Sequence, residues 1–393
     1  RNYEQVMSSE DCEYQSTIEW WHNWLSRGKV VNFEDKYLNY LYKTNLIMAK
    51  MCCQENGAVA YMGTGYKGAV WIRDSVWTTM GILDAGHKEE AEKFLEFLSD
   101  RLMKHKAKDG SVWLQYNVKG EPTLDTQRNI ENDTHGLILS FYYHYLDMTG
   151  NIKIIEKDWQ AIKYIADWIV DNRDVKGLIL PDAGPWETYG PILGFPFEHT
   201  HWASGICCYG LKVASKMAEC IGDKESQERY LGAYQEMLRL ILKNFVTDIL
   251  KKSLESELTD SAPLTFFDRF QIFDPDNEKL RKAAEKSISR LTDKGLGGLW
   301  RDEGLGVDWG PGKPWPGCTL FAADYYLRIG DISKAQEIIK WIVDNVSDCG
   351  LLSEFILTKH QGVCVPMPSY SSAGLVHTLL LLQEKVGSGQ RSL

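Results

Sequence analysis

The sequence predicts an all-α protein, a single (α/α)6 toroid in which an inner ring of buried helices is wrapped by an outer, solvated ring. Three observations predict it. Long helical patterns dominate the 393 residues and β-rich runs are few. The helices come in pairs joined by a tight turn that contains Gly. Within each pair the first helix is the more apolar and the second the more charged.

The pairs follow in order. Trp71 to Ala85 is joined through Gly86-His87 to Lys88–Leu102, and Thr134 to Thr149 through Gly150-Asn151 to Ile152–Val170. Trp202 to Ile221 is joined through Gly222-Asp223 to Lys224–Asn244, and Thr319 to Ile329 through Gly330-Asp331 to Ile332–Val346. In each turn Gly supplies the left-handed residue that ends a helix, and the Asp or Asn that follows in three of them caps the next one. A leading helix near Phe33–Gln54 and a last one near Ser371–Lys385 bracket the set, with a further helix near Asp276–Arg290. The run Gly136-Leu137-Ile138-Leu139 has the character of an inner helix, and Lys88-Glu89-Glu90-Ala91-Glu92-Lys93 that of an outer one. An open helical solenoid is the alternative arrangement. Closure is preferred because loops bearing Gly, Pro and Trp recur before the inner helices and would converge on one mouth. Nothing in the chain resembles a linker. One catalytic domain is expected over 33–393, with residues 1–32 as an N-terminal segment packed on it.

Composition narrows the function. A net charge of −10 argues against a nucleic-acid partner. No apolar run reaches the length of a membrane span. The nine cysteines show no CxxC spacing, so a zinc site is not expected, and free thiols in a reducing cytoplasm are the simplest reading. The 14 Trp and 19 Tyr suit sugar binding, because aromatic faces cover the C–H face of a sugar ring while the polar tips reach its hydroxyls.

The candidate chemistry lies in the loops. Gly184-Pro185-Trp186-Glu187 and Leu352-Ser353-Glu354-Phe355 each place one carboxylate beside aromatic residues, 167 positions apart. Glycoside hydrolysis needs two such groups. One holds a proton for the leaving oxygen, and the other is ionised to activate water or attack carbon. A neighbouring Trp favours the protonated form by desolvation, which makes Glu187 the expected acid. Arg73-Asp74 at a helix start can bracket neighbouring hydroxyls, or simply cap the helix. Asp133 opens the next inner helix and reads most simply as a plain N-cap. Arg301 and Trp315 occupy a corresponding station before the Thr319 helix, and the long Gly295–Pro316 loop reads as functional.

Together these segments resemble the glucoamylase family, family 15 of the glycoside hydrolases, over roughly Ile18–Leu382. Glu19-Trp20-Trp21-His22-Asn23-Trp24-Leu25 is similar to its N-terminal W-x-x-W-L stretch, and Trp71-Ile72-Arg73-Asp74 to its W-[IV]-R-D signature. Glu131-Asn132-Asp133-Thr134-His135-Gly136 resembles its Q-x-D-x-x-G helix start, and Trp186-Glu187 its W-E acid. Arg301 with Pro314-Trp315 and Cys318-Thr319-Leu320 resembles its R…N-P-W…T-L segment, and Leu352-Ser353-Glu354 its base motif. The chain departs from the pattern at Phe355, where the family has Gln, at Lys313, at Tyr370 and Ser372, and in the insertion-like run Tyr189–Pro196.

The resemblance implies a six-hairpin toroid and an exo-acting, inverting α-glucoside hydrolase that releases β-glucose. Glu187 would be general acid and Glu354 general base. Arg73, Asp74, Asp133, Trp186, Arg301, Trp315 and Tyr370 would bind the sugar, with no metal and no cofactor. The absence of a starch-binding module points to small soluble glucosides. A trehalase, or a hydrolase of α-1,6 or α-1,3 disaccharides, is the alternative on the same fold. A non-catalytic carbohydrate-binding protein is the alternative of another class, and a phosphorolytic enzyme is a fourth reading that Glu354 counts against.

Overall fold

The computed structural model describes residues 3–61, 68–107, 109–123, 130–187, 190, 195–304, 312–358, 361–366 and 369–389, with side chains described outside 3–12, 361–369 and 388–389. Most of the Tyr189–Pro196 run, residues 305–311 of the long loop and Met367-Pro368 lie outside the described residues.

Twelve α-helices account for most of the described chain: α1 (Tyr3–Ser26), α2 (Lys36–Met51), α3 (Ile72–Asp84), α4 (Lys88–Lys104), α5 (Asp133–Thr149), α6 (Ile152–Asp171), α7 (His201–Ile221), α8 (Lys224–Asn244), α9 (Glu278–Leu291), α10 (Pro316–Arg328), α11 (Ile332–Asp344) and α12 (Ser369–Gly389). The inner ring closes on itself. α3 packs on α5, α5 on α7, α7 on the short 3-10 element Ala262–Phe266, that element on α10, α10 on α12, and α12 back on α3. The fold is therefore an (α/α)6 toroid rather than an open solenoid. Its sixth inner station is a single 3-10 turn. The helix expected near Asp276–Arg290 exists as α9, but its one-sided burial marks it as an outer element.

Burial separates the two rings as the residue patterns require. Ten consecutive residues of α5, Asp133 to Tyr142, are buried, so this helix is covered all round. The outer helix α8, which packs on α7, buries only the stripe Ser226, Tyr230, Ala233, Met237 and Ile241, at spacings of three and four. Each large apolar side chain so buried contributes about 1.5–3 kcal/mol. Glycine lets the inner helices touch. A Cβ at Gly136 would stand 2.3 Å from the Ile206 carbonyl oxygen, so α5 and α7 approach only because none is there.

The turns follow their chemistry with one exception. Gly150 and Gly222 end α5 and α7 in the left-handed conformation. Asp223 and Asp331 accept the N–H of Ser226 and Lys334 as side-chain caps, whereas Asn151 makes no such bond. Before the barrel, α1 leads to Trp24, which stacks on His87 at 3.7 Å and donates to Glu90 at 2.7 Å. Two short antiparallel ribbons complete the structure: β1 (Val70–Trp71) with β2 (Gln115–Tyr116), and β3 (Ser353–Thr358) with β4 (Gln361–Pro366). The second ribbon stands where the sequence suggested a loop before the last helix. Among the described residues no helix is long and apolar enough to cross a membrane.

Away from the helix N-termini, the ring is tied by buried charges. Asp84, the last residue of α3, accepts from His144 (2.7 Å), Arg269 (2.6 Å) and His377 (2.8 Å). His377 also bonds Asp268 at 2.8 Å, and Thr378 donates to Asp324 at 2.6 Å. These groups come from α3, α5, α10, α12 and the segment after the 3-10 turn. The surrounding cations hold the Asp84 carboxyl well below its usual range against the cost of burial.

Candidate active site

The N-terminal ends of the inner helices and the loops that precede them surround a cavity of about 400 Å³. Asp74 enters from the first turn of α3, Trp202 from α7, Tyr370 from α12, and Trp315 immediately precedes α10. Glu187 enters from the loop before α7, Arg301 from the loop before α10, and Glu354 from β3. One helical turn below Asp74, Trp77 stacks on Phe321 at 5.5 Å, and both line the inner wall. The cavity is thus mostly aromatic with a few convergent charged groups, the usual make-up of a small-molecule site.

The turn that carries Glu187 is held on every side. The Gly184 N–H donates to Asp182 Oδ1 (3.1 Å), which also accepts from Thr200, the N-cap of α7; Asp182 Oδ2 accepts the Asn132 N–H. Arg73 Nη1 donates to the Pro185 carbonyl at 2.9 Å. The Trp186 indole N–H lies 3.0 and 2.9 Å from the two oxygens of Asp260. Glu187 itself sits at φ 55°, a left-handed conformation that is strained for a residue with a side chain and that clusters at functional sites.

Not every expected sugar ligand faces the cavity in the same way. The Arg73 guanidinium is largely committed to protein oxygens: Asp133 at 2.7 and 3.2 Å, Glu131 at 2.8 Å, and Pro185. Glu187 lies 4.0 Å from it. Asp133 does not line the cavity. It is fully buried behind Arg73 and also accepts from the Trp202 indole at 2.6 Å. The sequence set it among the sugar ligands; in the structure its oxygens accept from the Arg73 guanidinium and the Trp202 indole instead of facing the cavity. Asp74 and Arg301, by contrast, make no side-chain hydrogen bond to another residue among the described ones; the Arg301 guanidinium lies over the Trp315 ring at 5.2 Å.

Electrostatics divides the two glutamates in a way the sequence did not foresee. Glu354 is buried, and burial pushes its carboxyl up to about 7, with the charges of Asp74 and Glu187 adding and Arg301 opposing. Burial likewise pushes Asp74 up to about 7, against the pull of Arg73. The Glu187 side chain is 46% exposed, because the Trp186 indole turns away toward Asp260 instead of covering it.

Sequence reasoning missed several participants. Asp182 and Asp260 carry no signal beyond the turn-forming Pro181-Asp182-Ala183-Gly184 run. Trp77 and Phe321 read as ordinary inner-helix residues, and Trp202 as a helix start. Asp268, Asp324 and His377 have ligand atoms within 4.8 Å of one another. Both His377 nitrogens are already bonded to carboxylates and Arg269 pairs with the adjoining Asp84, so the cluster is neutralised by its own cations.

A closed toroid with an acidic, aromatic-lined pocket at its helix N-termini defines the class as that of the glycosidase toroids. The model of "Glycosyl hydrolases family 15" matches residues 36–305, more than two thirds of the chain. The chain belongs to that family. Among curated relatives, it is 25% identical over 388 residues to an uncharacterized glycosyl hydrolase of Methanocaldococcus jannaschii, covering 92% of this chain and 58% of the relative. It is 26% identical over 343 residues to Trehalase 1 of Sulfolobus acidocaldarius, covering 81% of this chain and 56% of the relative. The chain thus spans somewhat over half the length of these relatives. Among solved structures, a bacterial glucoamylase complexed with acarbose superposes with a TM-score of 0.76 at 17% identity, covering 98% of this chain and 60% of that one. A glycosidase variant in complex with glucose superposes with a TM-score of 0.74 at 16% identity, covering 91% of this chain and 99% of that one. At these identities the likeness is one of fold.

Proposed function

We propose that the chain is an exo-acting hydrolase of small α-linked glucosides that works by inversion and releases β-glucose. The observation that carries this reading is that Glu187 and Glu354, far apart in sequence, line one cavity, where the charge of Glu187 helps raise the Glu354 carboxyl. Asp74 and Arg301, with their polar atoms uncommitted, fix the hydroxyls of the terminal sugar, and Trp186, Trp315 and Tyr370 cover its faces. Such remote contacts direct binding energy to the reacting bond.

Glu187 gives its proton to the glycosidic oxygen. It stands on the open side of the cavity, where the leaving sugar departs, and a bound glycoside strips water from it and favours the protonated form. Glu354 takes a proton from the attacking water. A carboxylate pushed up to about 7 is a stronger base than an ordinary one, and a catalytic group works best with its pKa near the working pH. The same raised value supports a second reading with the roles exchanged, Glu354 holding the proton. The similarity to Trehalase 1 keeps trehalose beside maltose and isomaltose as a substrate.

Proton NMR of the anomeric signals during the first minutes with each disaccharide tests outcome and linkage together. With maltose or isomaltose, early excess β-glucose supports inversion and early excess α-glucose refutes it. With trehalose, whose leaving glucose keeps its α configuration, equal α- and β-glucose support inversion and α-glucose alone refutes it. α-Glucosyl fluoride then separates the roles, since fluoride leaves without a proton donor. Glu187→Gln is expected to lose about 10²–10⁴-fold on the disaccharide yet turn over the fluoride, and Glu354→Gln to fail on both. The opposite pattern establishes the exchanged roles.

A further inference from the structure

We propose that Asp260 is a positioning residue for the reaction, acting through Trp186 to set where Glu187 stands relative to Glu354. This rests on the reading of those two glutamates as the reacting pair.

Asp260 does not line the cavity. It is 2% exposed and lies directly behind Trp186. Both of its oxygens face the Trp186 indole N–H, at 3.0 and 2.9 Å, and one also accepts the Ala262 N–H at 2.7 Å. Its carboxyl is thereby fixed to the start of the 3-10 turn, one of the six inner stations of the ring. Ser261 beside it is tied to the Arg301 carbonyl through both its N–H and its hydroxyl. Trp186 immediately precedes Glu187, whose backbone is held in the left-handed region, so the anchoring of the indole to Asp260 restrains the backbone from which the glutamate projects.

The contact continues to the other carboxylate. Trp186 leans on Trp315 at 6.3 Å, and Trp315 leans on Phe355 at 5.5 Å, the residue next to Glu354. The backbone repeats the link, since the Ile356 N–H of β3 donates to the Pro314 carbonyl at 2.9 Å. Glu187 and Glu354 are therefore joined by a wall of three aromatic rings, and Asp260 anchors the end that carries Glu187. Only a tryptophan at position 186 offers the N–H that Asp260 grips. A phenylalanine would keep much of the wall and lose the anchor. Asp302 beside it pairs with Lys252 and, among the described residues, makes no hydrogen bond to Trp186, which makes it a buried neighbour without the same link.

The test is a double-mutant cycle on the whole chain, with kcat and KM measured separately on the preferred disaccharide. Asp260→Asn and Trp186→Phe are each expected to lower kcat about 10–100-fold, with KM changed less than about threefold, because a misplacement near 1 Å costs on that order while ground-state contacts persist. The double variant is expected to be no slower than the slower single, since both remove one interaction. Asp302→Asn is expected to lower thermal stability and leave kcat within about threefold. Multiplying effects in the double variant, or an unchanged kcat in Asp260→Asn, overturn the proposal. If Asp260→Asn does not fold, Trp186→Phe decides alone: a kcat within threefold of the parent overturns it. Glu187→Gln, run alongside, keeps the two failures distinct. Near-parental turnover in that variant sinks the functional reading and this inference with it. An inactive Glu187→Gln beside a fully active Asp260→Asn sinks the positioning role alone.

Discussion

Replacing Glu354 by Gln should make the protein more stable in mild alkali while destroying its turnover. The Glu354 carboxyl is raised from an ordinary 4.5 to about 7 by burial and by Asp74 and Glu187. Below pH 4.5 the group is protonated in both folded and unfolded chains and costs nothing. Between pH 4.5 and 7 the folded chain keeps a proton that the unfolded chain has released, so stability falls as pH rises, and above pH 7 the loss is complete. A rise from 4.5 to about 7, at about 1.4 kcal/mol per pH unit, gives a full loss of about 3.5 kcal/mol, which partial contact with solvent reduces. Glutamine has nearly the same shape and carries no charge. The variant should therefore match the parent near pH 4.5 and exceed it by about 2–3 kcal/mol at pH 8. For a chain of this size, that is a rise on the order of 3–5 °C in midpoint. Thermal or urea unfolding of both proteins at pH 4.5, 6 and 8 measures it. A variant no more stable than its parent at pH 8, or a difference that does not grow with pH, would refute the claim that Glu354 is held at an electrostatic cost. Such costs are expected where a fold sacrifices stability for chemistry.

Further outcomes separate the neighbours of that site from its participants. Asp133→Asn leaves Arg73 and the Trp202 indole poorly paired in the interior and should destabilise by about 3 kcal/mol, since breaking a buried pair costs about 3–5 and Glu131 remains to share the guanidinium. Asp74→Asn, like Glu354→Gln, should raise the urea midpoint at pH 8, since burial pushes that carboxyl too up to about 7, and lose kcat/KM; a large stability loss there would make Asp74 a structural cap. His377 is raised from 6.5 to about 10 by Asp84 and Asp268 against burial, so its stabilising charge is fully present below pH 6.5 and is lost as pH climbs to 10. His377→Gln should thus show its greatest deficit, on the order of 4 kcal/mol, in acid and little deficit at pH 10. A deficit that is constant across that range would mean packing, not charge, is what the imidazole supplies.

The sequence by itself determined the architecture because the signals involved are local. Helical periodicity, the Gly that ends Thr134–Thr149 and Trp202–Ile221, and the contrast between an α5 covered all round and an α8 covered on one stripe are each legible within about 20 residues. The segments that line the cavity were also legible, since Arg73-Asp74 stands at a helix start and Trp186-Glu187 and Arg301 stand in the loops that precede inner helices. What it did not determine depends on partners distant along the chain. The sixth inner station is a 3-10 turn followed by a cluster of phenylalanines, and no periodicity marks so short an element. Glu354 lies on a ribbon whose partner strand is set by pairing, not by its own residues. Only the tertiary structure decided that Asp133 spends its oxygens on Arg73 and Trp202, and that Trp186 turns to Asp260, 74 positions away, leaving Glu187 open. The same assembly drove the Glu354 carboxyl upward. Protonation and orientation respond to the burial and charge that the closed ring brings together, and no stretch of adjacent residues contains that information.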